Sequence, residues 1–234
     1  MDKQITYLVT GCSRGIGAAI THRLLEMEHQ VIGISRNLPD FSPDNFTHIT
    51  ADLSDLRSLP GILNEIAAIC STPDGLILNA GEGVFGALEQ FSVLRIEQLI
   101  NLNLTSQILI ARKFLPAMKA KKSGNLIFIG SEAALAGGRN GAVYSATKFG
   151  LRGLVQSLQE ECSSSGVRVG IINPGMVNTS FFDELGFQPG DKPDQHLIAE
   201  DVAEAALLML NAREGAVIQE INLQPQKKVI QFLK

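Results

Sequence analysis

The chain has 234 residues, 45% of them hydrophobic and 19% charged, with a formal net charge of −4; this composition belongs to a globular chain with a sizeable core and excludes a disordered one. No Lys/Arg run exceeds the pairs Lys121-Lys122 and Lys227-Lys228, so a nucleic-acid footprint is absent, and no apolar stretch reaches the length of a spanning helix. Cys12, Cys70 and Cys162 are widely spaced, and His22, His29, His48 and His196 are scattered, which argues against a disulfide framework or metal site and for reduced thiols in a cytoplasm.

The amino-terminal MDKQITYLVTG enters an apolar run at once, without the basic and long apolar regions of a secretory leader. Residues 5–10 (ITYLVT) read as a buried strand. The turn TGCSRGIG (10–17) follows, with Gly11, Gly15 and Gly17 spaced Gly-x3-Gly-x-Gly, and it opens a helix over 16–29. A glycine turn between the first strand and helix lets the backbone approach a ligand, and the helix N-terminus offers free N–H groups to a pyrophosphate. The spacing departs from Gly-x-Gly-x-x-Gly and from the P-loop.

The second strand, VIGIS (31–35), ends on Ser35-Arg36 rather than on an acid. An acid there would bond a ribose 2′-hydroxyl. Arg36 can instead pair with a 2′-phosphate, Ser35 can donate to it, and Arg14 can approach from the glycine turn, which predicts NADP(H) as the cofactor; the bland alternative is a solvated loop charge at Arg36. Further buried strands are expected at 46–50, 75–79, 125–130, 167–172 and 216–223, and helices at 56–70, 92–119, 142–162 and 200–211. Apolar runs without alternation, exchanging with helical periods, predict βαβ units: one α/β domain over 1–234 with a doubly wound, parallel, seven-stranded Rossmann-like sheet. Residues 178–199 are the one sizeable irregular segment, expected to be a substrate loop.

Tyr144 and Lys148 stand four residues apart and so share one helix face. A nearby ammonium favours a phenolate, so the spacing predicts a tyrosine made more acidic by its neighbour and able to exchange a proton with a carbonyl or alcohol. Ser131 ends the apolar run NLIFIG, where its hydroxyl can hold a carbonyl oxygen.

Together these motifs resemble the short-chain dehydrogenase/reductase family in its single-domain form: Thr10–Gly17 matches its Thr-Gly-x3-Gly-x-Gly turn, Asp52-Leu53 its adenine-side pair, and Asn79-Ala80-Gly81 its Asn-Ala-Gly. NLTS (103–106), Ser131 with Tyr144-x3-Lys148, and NPGMVNT (173–179) complete the set. The resemblance implies cofactor contacts at Gly11, Ser13, Arg14, Gly15, Ile16, Gly17, Ser35, Arg36, Asp52, Leu53, Asn79, Ala80 and Gly81. It implies that Lys148 bonds the nicotinamide ribose beside Tyr144, and that Pro174, Gly175, Val177 and Thr179 frame the nicotinamide. Asn103, with Asn101 as the competing choice, would hold a water leading from Lys148 to solvent.

Phe181, Phe182 and Phe187 would either cover the substrate or anchor their loop to the core. Glu82 and Glu132 would line the pocket or lie at the surface, and Leu151, Leu154, Val155 and Leu158 would serve a dimer or tetramer interface or the sheet core. The family implies a homodimer or homotetramer without nucleic-acid or membrane partners. The tail EINLQPQKKVIQFLK lacks the glycine pair of many members and resembles that of members reducing small ketones, diketones, hydroxy acids or pterin side chains, which favours a small ketone, diketone or aldehyde, or the matching alcohol, over 3-oxoacyl thioesters. A non-catalytic NADP(H)-binding sensor is the reading from another class.

Overall fold

Apolar strands that do not alternate need cover on both faces, and a computed structural model describing residues 5–233 shows how that cover is supplied. Residues 1–4, on which the reading of the amino terminus partly falls, lie outside the described residues. Nine strands occur among the described residues: β1 (Thr6–Thr10), β2 (Gln30–Ser35), β3 (Phe46–Thr50), β4 (Gly75–Leu78), β5 (Gly124–Ile129), β6 (Val167–Pro174), β7 (Phe187–Pro189), β8 (Glu220–Leu223) and β9 (Ile230–Phe232). Seven form one parallel sheet in the order β3-β2-β1-β4-β5-β6-β8. The helices are α1 (Gly15–Glu26), α2 (Leu59–Ile69), α3 (Val93–Ile100), α4 (Ser106–Lys121), α5 (Ala142–Cys162) and α6 (Ala199–Leu210).

Successive strand residues feed opposite layers. Tyr7, Val9, Ile77, Ile127 and Ile172 pack with Ile20 and Leu24 of α1 and Val202 and Ala206 of α6. Leu8, Leu76, Leu78, Leu126 and Phe128 pack with Leu63 and Ile66 of α2, Ile110 and Phe114 of α4, and Leu151 and Val155 of α5. Leu158 is buried in the same layer and Leu154, half-buried, packs against it, so these α5 leucines take part in the sheet core.

Three expectations need correction. The single helix over 92–119 is interrupted by a π-helical turn, Asn101–Thr105, between α3 and α4. Residues 178–199 are not wholly irregular: Ser180–Phe182 form a 3-10 turn, and β7 pairs antiparallel with β9 of the tail. The last strand of the main sheet is shorter than 216–223, since only Glu220–Leu223 follow the direction of β6.

Candidate active site

From β1 the chain runs outward through β2 to β3 and then returns to β4 on the other side of β1. In doubly wound sheets the crevice at such a reversal, at the carboxyl ends of the strands, is where ligands bind. One threonine defines its walls. The Thr10 hydroxyl, wholly buried, accepts the N–H groups of Asn79 and Ala80, both at 3.0 Å, while Asn79 Nδ2 donates back to the carbonyls of Thr10 and Gly11 at 3.0 and 3.3 Å. The glycine turn and the Asn79-Ala80-Gly81 segment are thereby bolted together.

The turn then opens α1. Gly15 has φ of +56°, which side-chain-bearing residues rarely adopt, and a Cβ on Gly17 would run into the Gly11 carbonyl oxygen. No side chain caps α1 and its first turn carries no acid, so its amino end faces the crevice with unshared N–H groups and partial positive charge. Arg14 and Arg36 both line the crevice and are exposed, and neither forms an ion pair among the described residues. A glycine cradle, an uncapped helix end and two free guanidiniums suit a phosphorylated dinucleotide. The Ser35 hydroxyl is engaged differently from expectation: it donates to the Asn37 carbonyl at 2.8 Å and sits 2.8 Å from His48 Nε2, because the residue is buried and turned into the fold.

The crevice continues into a cleft of about 850 Å³. Gly11, Ser13, Arg14, Gly15, Ile16, Ser35, Arg36, Asp52, Leu53, Asn79, Ala80 and Gly81 line its nucleotide end, and Ser131, Tyr144, Lys148, Pro174, Gly175, Val177 and Thr179 line the remainder. Gly17 and Asn103 are the two expected site residues that stand behind the wall, both buried. Asn103 sits in the π-helical turn, where its Oδ1 accepts the Glu82 N–H at 3.0 Å and its Nδ2 donates to the Glu82 carbonyl at 2.9 Å and to Thr147 Oγ1 at 3.3 Å. Its main-chain carbonyl accepts from Gln107 Nε2 at 3.1 Å.

Tyr144 and Lys148 meet on one face of α5, with the Lys148 ammonium 5.8 Å from the centre of the phenol ring. Lys148 Nζ donates to the Ile129 carbonyl at 3.0 Å, tying α5 to the end of β5, two residues before Ser131. Ser131 Oγ accepts the Ala133 N–H at 3.1 Å, and its hydroxyl bears on the Tyr144 phenol. Two hydroxyls thus stand side by side where a carbonyl oxygen would be received.

The charge state reverses the expectation from spacing. Burial pushes the Tyr144 phenol up to about 12, against the opposing pull of the Ser131 hydrogen bond and with a further push from the Glu132 carboxylate. Burial also pushes the Lys148 ammonium down to about 8. Desolvation disfavours either charge more than the pair offset it, since the ammonium is directed at a carbonyl rather than at the phenol oxygen. At neutral pH Tyr144 therefore holds its proton.

Phe85 and the tail residues Ile230 and Phe232 had no role in the sequence reading. The Phe85 ring lies tilted 5.3 Å from Tyr144 and edge-on 5.0 Å from Phe187, and Phe181, 6.3 Å from Tyr144, contacts Phe182 at 5.1 Å. Phe181, Phe182 and Phe187 all line the cleft, so they face the substrate space. The tail contributes Lys228, Ile230 and Phe232. Glu132 pairs with Lys228 at 2.6 Å and Glu82 with Arg95 at 2.8 Å, and both carboxylates line the cleft. The alternation Ile230-Gln231-Phe232 was the available signal for the tail.

A doubly wound sheet whose switch-point crevice leads to a buried phenol, a second hydroxyl and an amine defines an α/β oxidoreductase. A family model described as short chain dehydrogenase matches residues 6–189, and the chain belongs to that family. It is similar to the 17-beta-hydroxysteroid dehydrogenase type 1 of Mus musculus, 29% identical over 95% of this chain and 70% of that protein. It is also similar to the 3-oxoacyl-acyl-carrier-protein reductase FabG of Buchnera aphidicola, 32% identical over 77% of this chain and 76% of the relative. Among solved structures, a metagenomic short-chain oxidoreductase in complex with NADP superposes with a TM-score of 0.79 at 28% identity, over 94% of this chain and 97% of that one.

Proposed function

We propose that this chain is an NADPH-dependent oxidoreductase that reduces the carbonyl of a small ketone, diketone or aldehyde, or oxidises the matching alcohol, with Tyr144 as the acid/base. The observation that carries this reading is the buried Tyr144 beside Ser131 and Lys148, in the same cleft as the uncapped amino end of α1. Bound NADPH supplies the hydride. Ser131 and Tyr144 receive the carbonyl oxygen, and Tyr144 hands its proton to the developing alkoxide. The Lys148 ammonium, 5.8 Å from the ring, then favours the phenolate left behind. Asn103 braces the Glu82 backbone beside Lys148, which would set the position of the water path that is proposed to lead from Lys148 to solvent.

Arg14 and Arg36 would hold the 2′-phosphate, Asp52 and Leu53 the adenine side, Asn79, Ala80 and Gly81 the floor, and Pro174, Gly175, Val177 and Thr179 the nicotinamide. The solved relative with bound NADP supports this cofactor. The Buchnera relative is named for reduction of a 3-oxoacyl carrier-protein thioester. The apolar tail residues at the mouth of the present cleft favour a more compact carbonyl compound. The chain acts as one catalytic unit with 178–199 as its substrate loop, in a reducing cytoplasm that suits three free cysteines. No helix among the described residues is long and apolar enough to cross a membrane. Exposed Ile108 of α4 and Phe149 of α5 support a homodimer or homotetramer through these helices.

The test is Tyr144→Phe, assayed by NADPH absorbance against a panel of aldehydes, ketones and diketones and by NADPH fluorescence for binding. Turnover should fall by about 10²–10⁴-fold, the usual worth of a positioned acid, with cofactor affinity retained. A variant keeping most of its kcat would remove Tyr144 from the mechanism.

A further inference from the structure

The cleft has an outer wall that belongs to neither the nucleotide crevice nor the Ser131, Tyr144 and Lys148 group. Residues 227–233 are laid along the segment 186–195. Phe187, Gln188 and Pro189 of β7 pair with Phe232, Gln231 and Ile230 of β9. Beyond the ladder, the Leu233 N–H donates to Gly186 at 3.0 Å, the Gly190 N–H to Val229 at 3.2 Å, and the Lys227 N–H to Asp194 at 2.7 Å. Lys228 reaches across to Glu132, the neighbour of Ser131, at 2.6 Å. Tail and loop therefore form one piece fastened beside the reacting hydroxyls.

Strand alternation decides what this piece shows the cleft. Ile230 and Phe232 line it, while Gln231, between them, bonds Gln188 at 3.2 Å and Asp191 at 3.0 Å. Phe232 is 79% exposed and Ile230 44%, although both border a concave space. Phe85, Phe181, Phe182 and Phe187 line the same cleft and are grouped about Tyr144, with Phe187 the cross-strand partner of Phe232. Apolar side chains left bare inside a concavity mark a surface that a ligand covers. The carboxylates nearest the reacting end, Glu82 and Glu132, are each neutralised by a basic partner.

We infer that the carboxy-terminal strand is the outer wall of the substrate pocket, and that Ile230 and Phe232 with the other phenylalanines lining the cleft select a carbonyl compound with a flat aromatic or alicyclic apolar body. This rests on the oxidoreductase reading above. Aromatic faces stack on planar rings in offset or edge-on arrangements, and a small aliphatic ketone would leave Phe232 uncovered.

The experiment compares the full chain with Ile230→Ser/Phe232→Ser and with Phe232→Ala. Substrates are 1-tetralone and butanone with NADPH, and binding of 1-naphthol to the chain with NADP⁺ is measured by calorimetry. The full chain should prefer 1-tetralone over butanone in kcat/KM. The double variant should lose roughly tenfold or more of that preference and weaken 1-naphthol comparably, with Phe232→Ala intermediate, since lost apolar contacts in a pocket have effects of this order. NADPH affinity should stay unchanged in both variants, which shows that the nucleotide end remains folded. No preference for 1-tetralone in the full chain, or a preference and naphthol affinity unmoved by both variants, would overturn the inference. If neither ketone turns over but 1-naphthol binds and the variants weaken it, the wall stands and the oxidoreductase reading fails.

Discussion

Lys148 offers a test in which stability and activity move in opposite directions. Its ammonium titrates at 10.5 when unperturbed and at about 8 in the fold, with burial as the cause. At about 1.4 kcal/mol per pH unit, keeping that charge buried costs about 3 kcal/mol. Below pH 8 the amine is charged in both folded and unfolded chains, so the cost is fully present. Between 8 and 10.5 the unfolded chain still holds the proton and the folded chain does not, so stability rises with pH across that window. Lys148→Met removes the titration together with the bond to the Ile129 carbonyl, a loss of about 1 kcal/mol. Urea denaturation at pH 7 should then show the variant about 2 kcal/mol more stable than the parent, with the two curves meeting near pH ~10. Carbonyl reduction should be lost throughout. A variant no more stable than the parent at pH 7, or a gap that does not narrow as pH rises, would refute the argument that desolvation dominates this site.

Other outcomes follow from the same geometry. In the reductive direction kcat should hold steady up to pH 8 and decline above it, as Lys148 loses the charge that favours the tyrosinate; a pH–rate profile checks this. Arg36→Ala should raise the KM for NADPH roughly tenfold to hundredfold and leave that for NADH nearly unchanged, as expected for a charge-assisted bond of about 1.5–3 kcal/mol. Gly17→Ala forces a Cβ against the Gly11 carbonyl oxygen. It should lower the Tm by roughly 2–10 °C in a thermal shift assay and abolish NADPH binding, given overpacking costs of about 1–3 kcal/mol.

The sheet was legible because its strands are short apolar runs covered on both faces, a pattern that needs no tertiary information. At the nucleotide end the glycine turn was legible as a local backbone device complete within a few residues, whereas Asn79-Ala80-Gly81 and Pro174-Gly175 were read only through the family resemblance. What escaped notice is of another kind. The π-helical turn at Asn101–Thr105 inserts a wider turn into a run that still repeats apolar residues, so periodicity alone passes over it. The β7–β9 ribbon joins Gln188 to Gln231 across 43 residues, and the short alternation Ile230-Gln231-Phe232 does not tell which distant segment it pairs with. The direction of the Tyr144 shift depends on how deeply the phenol and amine are buried, whereas a four-residue spacing reports only that they are neighbours.

Thr10 carries a last implication. With its hydroxyl clasping the β4 side of the crevice and Asn79 clasping back, the two banks of the nucleotide channel behave as one rigid gauge. Its width is preset before any dinucleotide arrives. The phenylalanine-bearing loop and tail take no part in that clasp, so substitutions there should alter what the cleft accepts while sparing its grip on the coenzyme.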